Sequence, residues 1–231
     1  MDGTTALTIA IDGPVGAGKS TIAKGLAEAL GILHLDTGAM YRALALKALR
    51  EGVDPHDAAA SEALCGRTQI SAMPMGGGQR TYLDGVDVSD EIRTPEVSAA
   101  ASAISKARGV RARMVSLQQR CAAQAGMVLD GRDIGTRVLP TAAFKFFLNA
   151  PAEVRAMRRY DEMRAKGVDC DYEQVLADLT ARDAQDSGRE VDPLRRADDA
   201  LEIDTANLTQ DEVVAALLRV IEEGISREIP S

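Results

Sequence analysis

The sequence predicts an α/β fold, a parallel sheet flanked by helices, with a small antiparallel β/α lobe inserted and a mobile lid. Three observations predict it. Strand-like and helix-like segments alternate from the first apolar run onward, which is how a parallel α/β sheet begins. An Asp84-Gly85 pair between alternating residues marks a hairpin that interrupts the alternation. A polar, arginine-bearing stretch around Gly188 and Pro193 follows the later helices and reads as a loop able to move.

Leu7 to Ile11 is an apolar run cut by Asp12-Gly13-Pro14, a buried strand running into a tight loop. Ile22, Ala23, Leu26, Ala27 and Leu30 give Lys19 to Leu30 the helical period, and Gly31 stands at its C-terminal stop. Ile32 to Leu35 is a second short strand. Thr37 to Arg50 is a second helix, with Met40, Ala43, Leu44, Lys47 and Ala48 on related faces and Gly52 ending it. The pattern changes between Val53 and Pro95. Thr81-Tyr82-Leu83 and Val86-Asp87-Val88 are the hairpin arms. Ser71 to Gln79, with Gly76-Gly77-Gly78, is glycine-rich and poor in strand formers, so no firm hairpin edge is expected there.

Glu96 to Ala125 is Ala-rich and reads as one helix. Met127 to Leu129 and Phe144 to Leu148 are strands, the first ending in Asp130-Gly131-Arg132-Asp133. Pro151 is expected in the first turn of a helix that runs to about Ala165, before Gly167. Tyr172 to Arg182 is a further helix and Asp183 to Asp192 a polar loop. Leu201 to Ile203 is a last strand. Thr209-Gln210-Asp211-Glu212 is a capping box, with Leu208 as its staple, opening a helix that ends near Gly224. Together these give one domain over 1–231: a core of 1–36, 106–150 and 198–231, an acceptor-binding insert of about 37–105 and a lid of about 151–197.

The bulk chemistry narrows the function. A formal net charge of −8 argues against a nucleic-acid or anionic-membrane surface, so any anionic ligand must be held by a local pocket. The cations are 21 Arg against 6 Lys, and Arg suits multi-donor recognition of phosphate. Cys65, Cys121 and Cys170 lie far apart with no CxxC, as expected of reduced thiols in a cytoplasmic protein without a local zinc motif. No basic start or long apolar run opens the sequence, so a signal peptide is not expected, and no stretch approaches the roughly 20 apolar residues of a membrane span. A cytoplasmic monomer with no membrane and no nucleic-acid partner is the expectation.

Gly13-Pro14-Val15-Gly16-Ala17-Gly18-Lys19-Ser20 fits G-x-x-x-x-G-K-[ST], with a strand before it and a helix after it. The glycines let the backbone N–H groups converge on a polyphosphate, and the helix start adds open N–H groups and a positive dipole end. Lys19 supplies charge to the β- and γ-phosphates, Ser20 a hydroxyl for Mg²⁺, and Thr21 can reach a phosphate. The sheet is therefore of the P-loop NTPase type. The loop alone does not choose between motors, switches, hydrolases and kinases.

A parallel sheet presents its strand C-termini on one edge, so Asp36 and Thr37 should face the γ-phosphate region. Arg42 lies five residues past Thr37, about 1.4 turns, within reach of an acceptor anion. Asp130 ends the third strand, where an acidic residue commonly holds Mg²⁺ directly or through water. Arg132 and Asp133 follow at once and could read a base edge, the Asp accepting from an exocyclic amine and the Arg donating to ring acceptors. Arg182 and Arg189 could close over the phosphates on a flexible element and keep water from the γ-phosphoryl group. Arg155, Arg158 and Arg159 precede them on another helix.

These residues together resemble the bacterial cytidylate kinase family. The resemblance is carried in series by Gly13 to Thr21, Leu35 to Arg42, Arg80 to Arg93 (RTYLDGVDVSDEIR), Gly131 to Asp133 and Arg182 to Arg189, and it covers nearly the whole chain. It implies ATP on the P-loop and CMP or dCMP opposite, with transfer giving CDP or dCDP plus ADP in pyrimidine nucleotide metabolism. By that resemblance Thr37 and Arg42 hold the acceptor phosphate, Ser102 and Arg111 join Arg132 and Asp133 near the cytosine, and Arg182, Asp186 and Arg189 bind the acceptor or bridge the two phosphates. Arg158 falls on the ATP side.

An acceptor phosphate, with a second pKa of about 6, is already mostly ionised at neutral pH. No general base is required, and His34 and His56 read as structural or exposed residues. Catalysis is expected from Lys19, Arg132, Arg182 and Arg189 with Mg²⁺, aligning two polyanions and spreading their charge. A UMP, AMP or non-nucleotide acceptor, and a switch or ATPase that transfers nothing, stay open at this point.

Overall fold

A computed structural model describes residues 7–75 and 78–228 of the chain. Five parallel strands form the central sheet in the order β2-β6-β1-β7-β8. They are β1 (Thr8–Asp12), β2 (Leu33–Asp36), β6 (Met127–Asp130), β7 (Phe144–Asn149) and β8 (Leu201–Asp204). Side chains of the central strands alternate between two cores. Ile9, Ile11, Val128, Phe146 and Leu148 point to the face covered by α1 (Lys19–Leu30) and α8 (Gln210–Glu228). Ala10, Met127 and Leu129 point to the opposite face, covered by α2 (Thr37–Glu51), α4 (Pro95–Ile104) and α5 (Arg108–Ala122). Burial on both faces is what makes these strands short apolar runs.

The glycine stops of the first two helices hold, while the last helix, expected to end near Gly224, runs on to Glu228. Gly31 and Gly52 are left-handed and their N–H groups close the preceding turns. The capping box at Thr209 is formed on both sides, Glu212 Oε2 accepting from the Thr209 N–H at 2.8 Å and Thr209 Oγ1 accepting from the Glu212 N–H at 3.3 Å. Other expectations are corrected. Residues Ala58–Gly66, left unassigned above, form α3 behind the Asp57 N-cap, whose carboxylate accepts from Ala60 N at 3.0 Å. The Ala-rich stretch is two helices and not one. The break at 105–107 lets α4 pack on α2 while α5 turns to bury Arg111. Pro151 is the N-cap of α6 (Ala152–Ala165) and does not sit within its first turn. The helix begun at Tyr172, α7, runs on past Arg182 to Ser187, so Asp183 to Ser187 are helical where a polar loop was expected.

The inserted sheet has three strands: β3 (Ile70–Met75), β4 (Gly78–Leu83) and β5 (Val86–Asp87). Asp84 and Gly85, both with positive φ, make the predicted turn. The doubted edge is real. β3 pairs with β4 from Ile70↔Leu83 to Met75↔Gly78. Ile70 and Ala72 face the core beneath, and that burial outweighs the poor propensity of the segment. Gly76 and Gly77 lie outside the described residues.

One side chain ties this lobe to the central sheet. Gln79 Oε1 accepts from Asp36 N at 2.8 Å, and its Nε2 donates to Asp36 O at 3.3 Å and to Thr81 Oγ1 at 3.1 Å. The amide thus stands in for a neighbouring strand at the end of the edge strand β2. Gln79→Leu is expected to cost about 1–3 kcal/mol, because two backbone groups lose their partners. Urea unfolding, with hydrogen exchange at the Asp36 amide, checks it.

Candidate active site

The P-loop follows β1, the middle strand of the sheet, and runs into α1. Gly13 has φ 146° and Gly16 φ 78°, conformations that L side chains rarely adopt. Gly18, the N-cap of α1, brings no side-chain acceptor, so the first-turn N–H groups stay open for an anion. Lys19 is buried and its Nζ donates to Pro14 O at 2.7 Å, folding the ammonium back over the loop. Burial, and then the Arg132 charge, hold the Lys19 pKa well below the ordinary lysine range, while Asp130, Asp12 and Asp186 oppose them. Arg155 fixes the loop from α6, donating to Val15 O at 2.9 Å, Ala150 O at 2.7 Å and Asp183 Oδ2 at 2.6 Å.

The sheet edge brings three further groups to the loop. Ser20 Oγ donates to Asp130 Oδ2 at 2.7 Å, so the hydroxyl and carboxylate predicted to serve Mg²⁺ are adjacent. Thr37 is buried and its hydroxyl donates to Asp130 O at 2.7 Å. Asp36 caps α2 through Ala39 N at 3.1 Å and pairs with Arg42 at 2.7 Å. Burial works to raise the Asp36 pKa, and the Arg42 guanidinium more than offsets it. Thr21 is exposed beside Ser20.

Opposite the loop, arginines from separate parts of the chain converge. Arg132 Nε donates to Asp186 Oδ2 at 2.8 Å, and Arg189 lies 3.8 Å from the other oxygen of that carboxylate. Burial would raise the Asp186 pKa, but Arg132 and Arg189 hold it down. Among the described residues Arg182 has no such partner. Burial and the like charges of Arg132 and Arg42 bring its pKa down to about 10. Among the described residues, Arg182 Nε and Arg189 Nη2 are buried with no hydrogen-bond partner. Buried donors left open in this way suit an acceptor that arrives with a ligand.

Beside this cluster, Arg111 is buried and bonds Asp133, with Asp192 at 3.2 Å and the Tyr41 ring centroid 5.9 Å away. Burial disfavours the Arg111 charge, yet Tyr41, Asp133 and Asp192 outweigh it and raise its hold on the proton. Ser102 in α4 is reached from α7, because Gln185 Nε2 donates to its Oγ at 2.6 Å and to its carbonyl at 3.0 Å.

Arg158 stands apart from the cluster. It donates to the Thr205 and Ala206 carbonyls and to Thr205 Oγ1, beyond the end of β8. Sequence reasoning missed Asp12, Gln185 and Asp192. Asp12 is buried and accepts from Ile134 N at 2.8 Å and Gly135 N at 2.7 Å, seating a single π-turn over Ile134–Val138. Burial pushes its carboxyl up to about 7 against those two donors. Its position next to Gly13 is the one local signal that could have found it.

The arrangement can hold a polyphosphate in the loop and a second anion across from it. A family model described as cytidylate kinase matches residues 9–223. A cytidylate kinase of Caldicellulosiruptor bescii is 49% identical over 223 residues, covering 96% of this chain and 99% of its own. That of Bacillus pumilus is 50% identical over 212 residues, covering 92% and 94%. A crystal structure of an uncharacterized protein from Eubacterium ventriosum superposes with a TM-score of 0.51 at 14% identity, covering 95% of this chain and 99% of its own, a likeness of fold alone.

Proposed function

The chain belongs to the cytidylate kinase family, and from that premise we propose how its own residues carry the reaction. The reaction is transfer of the γ-phosphoryl group of ATP to CMP or dCMP, giving CDP or dCDP plus ADP. One observation supports the assignment of roles most directly: Arg132, Arg182 and Arg189 gather around Asp186 opposite the P-loop, two of them with open buried donors.

ATP lies on residues 13–21, its phosphates on the loop N–H groups and Lys19. The Lys19 ammonium leaves Pro14 O for the β- and γ-phosphates, which restore the charge that burial disfavours. Thr37 and Arg42 hold the acceptor phosphate, with Asp36 steering the Arg42 guanidinium. Arg132, Arg182 and Arg189 span the two phosphates and stabilise the charge spread over the equatorial oxygens in the transition state. The ionised acceptor oxygen needs no base. Residues 37–105 act as the acceptor-binding insert and 151–197 as the lid, joined where Gln185 meets Ser102.

Ser20 and Asp130 fit Mg²⁺: a hydroxyl and a carboxylate meet beside the loop. Among the described residues no group of three or more His, Cys, Asp or Glu could hold a metal alone, as suits an ion that takes its other ligands from phosphate and water. When bound, the ion offsets charge on the β- and γ-phosphates. Arg158 stands on the ATP side through its hold on the 205–206 turn. The chain works as a cytoplasmic monomer in pyrimidine nucleotide metabolism. The free thiols of Cys65, Cys121 and Cys170 suit a reducing compartment. Among the described residues no helix is long and apolar enough to cross a membrane.

The deciding experiment is ADP formation from Mg-ATP with CMP, dCMP, UMP or AMP. CMP and dCMP should give the highest kcat/KM, and equal rates with AMP would refute the base-reading role of Ser102, Arg111, Arg132 and Asp133. The cytosine amine donates where uracil has a carbonyl, and the Asp133 carboxylate only accepts. Asp133→Asn, whose amide also donates, is expected to lower the CMP-to-UMP ratio of kcat/KM by about tenfold or more. The ratio isolates recognition from any general loss that follows weakening of the Arg111 pair.

A further inference from the structure

His34 lies on β2, two residues before Asp36, and β2 pairs with β6 so that Asp36 stands opposite Asp130 and His34 opposite Val128. Val128 faces the core under α1, and residues two apart on a strand share a face. His34, Asp36 and Asp130 therefore all project toward the α1 side of the sheet, where Ser20 begins that helix. The imidazole reaches diagonally across the strand pair, and its Nε2 lies 2.7 Å from Asp130 Oδ1. The second oxygen of the same carboxylate accepts from Ser20 Oγ, also at 2.7 Å. A carboxylate only accepts, so His34 donates from Nε2.

Both oxygens of a nearly buried carboxylate are thus held by donors on two different elements. The side chains of His34 and Asp130 are 11% and 5% exposed. His34 also lines a cavity of about 390 Å³ with Ser20, Thr21, Lys24, Asp36 and Gln79. The imidazole is therefore not packed into the hydrophobic core, and its Nε2 is spent on Asp130. Released from His34, the carboxylate could turn about its terminal torsion, which is broad for Asp, and lose its alignment with the Ser20 hydroxyl.

We propose that His34 is a positioning residue for the magnesium site, fixing the rotation of Asp130 so that Ser20 and Asp130 present one pre-set pair of oxygens to the cation. The inference rests on the assignment of Ser20 and Asp130 to Mg²⁺ given above. Groups that orient a metal-binding carboxylate typically change metal affinity by about 10–100-fold when removed.

The test is calorimetric titration of ADP in a series of Mg²⁺ concentrations and in EDTA, on the full chain. His34→Leu removes the donor at similar volume and is expected to raise the Mg²⁺ needed for half-maximal tightening about tenfold, with ADP affinity in EDTA unchanged. A merely structural residue would weaken both. An unchanged Mg²⁺ requirement in His34→Leu overturns the proposal, as does equal weakening with and without the cation. If the leucine variant does not fold, His34→Asn, whose amide is too short to span the same gap, is read by the same comparison. Asp130→Asn separates the two layers. If it leaves the Mg²⁺ requirement untouched, the metal assignment itself fails; if it raises the requirement while the His34 variants do not, the role of His34 alone is lost.

Discussion

Replacing Arg182 by methionine is expected to lower kcat by about 10³-fold while leaving the folded chain at least as stable as before. The two effects share one cause. The Arg182 guanidinium is held among Arg132, Arg42 and Arg159, with Asp186 as the acidic group that most favours it, and its buried Nε bonds nothing among the described residues. Burial and like charge depress its pKa to about 10. For a base, a depressed folded-state pKa means that the charged form present at neutral pH opposes folding. In the proposed site a triphosphate and an acceptor phosphate would reverse that balance, most strongly at the transition state. Methionine keeps the apolar stem and removes the strain, so the melting temperature should rise as turnover falls. Steady-state kinetics with CMP and a thermal melt without ligand check both halves. An unchanged kcat removes Arg182 from the site.

The second large effect is on folding. Gly13→Ala places a Cβ 2.0 Å from Leu148 O, a backbone atom of β7 that cannot turn aside, at a φ of 146°. Either β1 and β7 part near their C-terminal ends or the loop is rebuilt. The cost is expected to be about 3 kcal/mol or more. For a chain of this size that lowers the melting temperature by roughly 10 °C. Nucleotide affinity should fall with it, because the loop N–H groups no longer converge. Differential scanning calorimetry with and without ATP separates the two, since a variant that melts like the wild type would show that the loop has room to move.

The features legible in the sequence are those whose causes lie close along the chain. The P-loop, the glycine stops at Gly31 and Gly52, the Asp84-Gly85 turn and the Thr209 capping box each depend on neighbours within a few residues. Asp57 before three alanines was the same kind of signal, and it marks the helix the reading passed over. What misled was distance. The break at 105–107 lies in a stretch whose propensity favours continuous helix, and it serves contacts of α4 and α5 with different partners. The β3 edge is made by burial on α2 and not by its residues' preference for strand. Gly188 and Pro193 point to a loop from Asp183 onward, yet Leu179 and Asp186 are buried on the same helix and carry it to Ser187.

The candidate site divides in the same way. Lys19, Ser20, Asp36, Arg42, Asp130 and Asp133 follow from motif and strand end. The partners that give them their geometry do not, because Asp12 reaches Gly135, Gln79 reaches Asp36 and Gln185 reaches Ser102 across wide gaps in sequence. No spacing rule connects such pairs.

Arg155 holds Val15 O with the same Nη1 that bonds Asp183, the neighbour of Arg182 in α7. One guanidinium group therefore joins the glycine cradle to the helix that carries Arg182. Any coupling between the two proposed nucleotide sites that runs through it would be reciprocal: whatever factor the triphosphate adds to the monophosphate's affinity, the monophosphate returns unchanged. Synergism of that kind would belong to the scaffold at equilibrium, before any phosphorus–oxygen bond is broken.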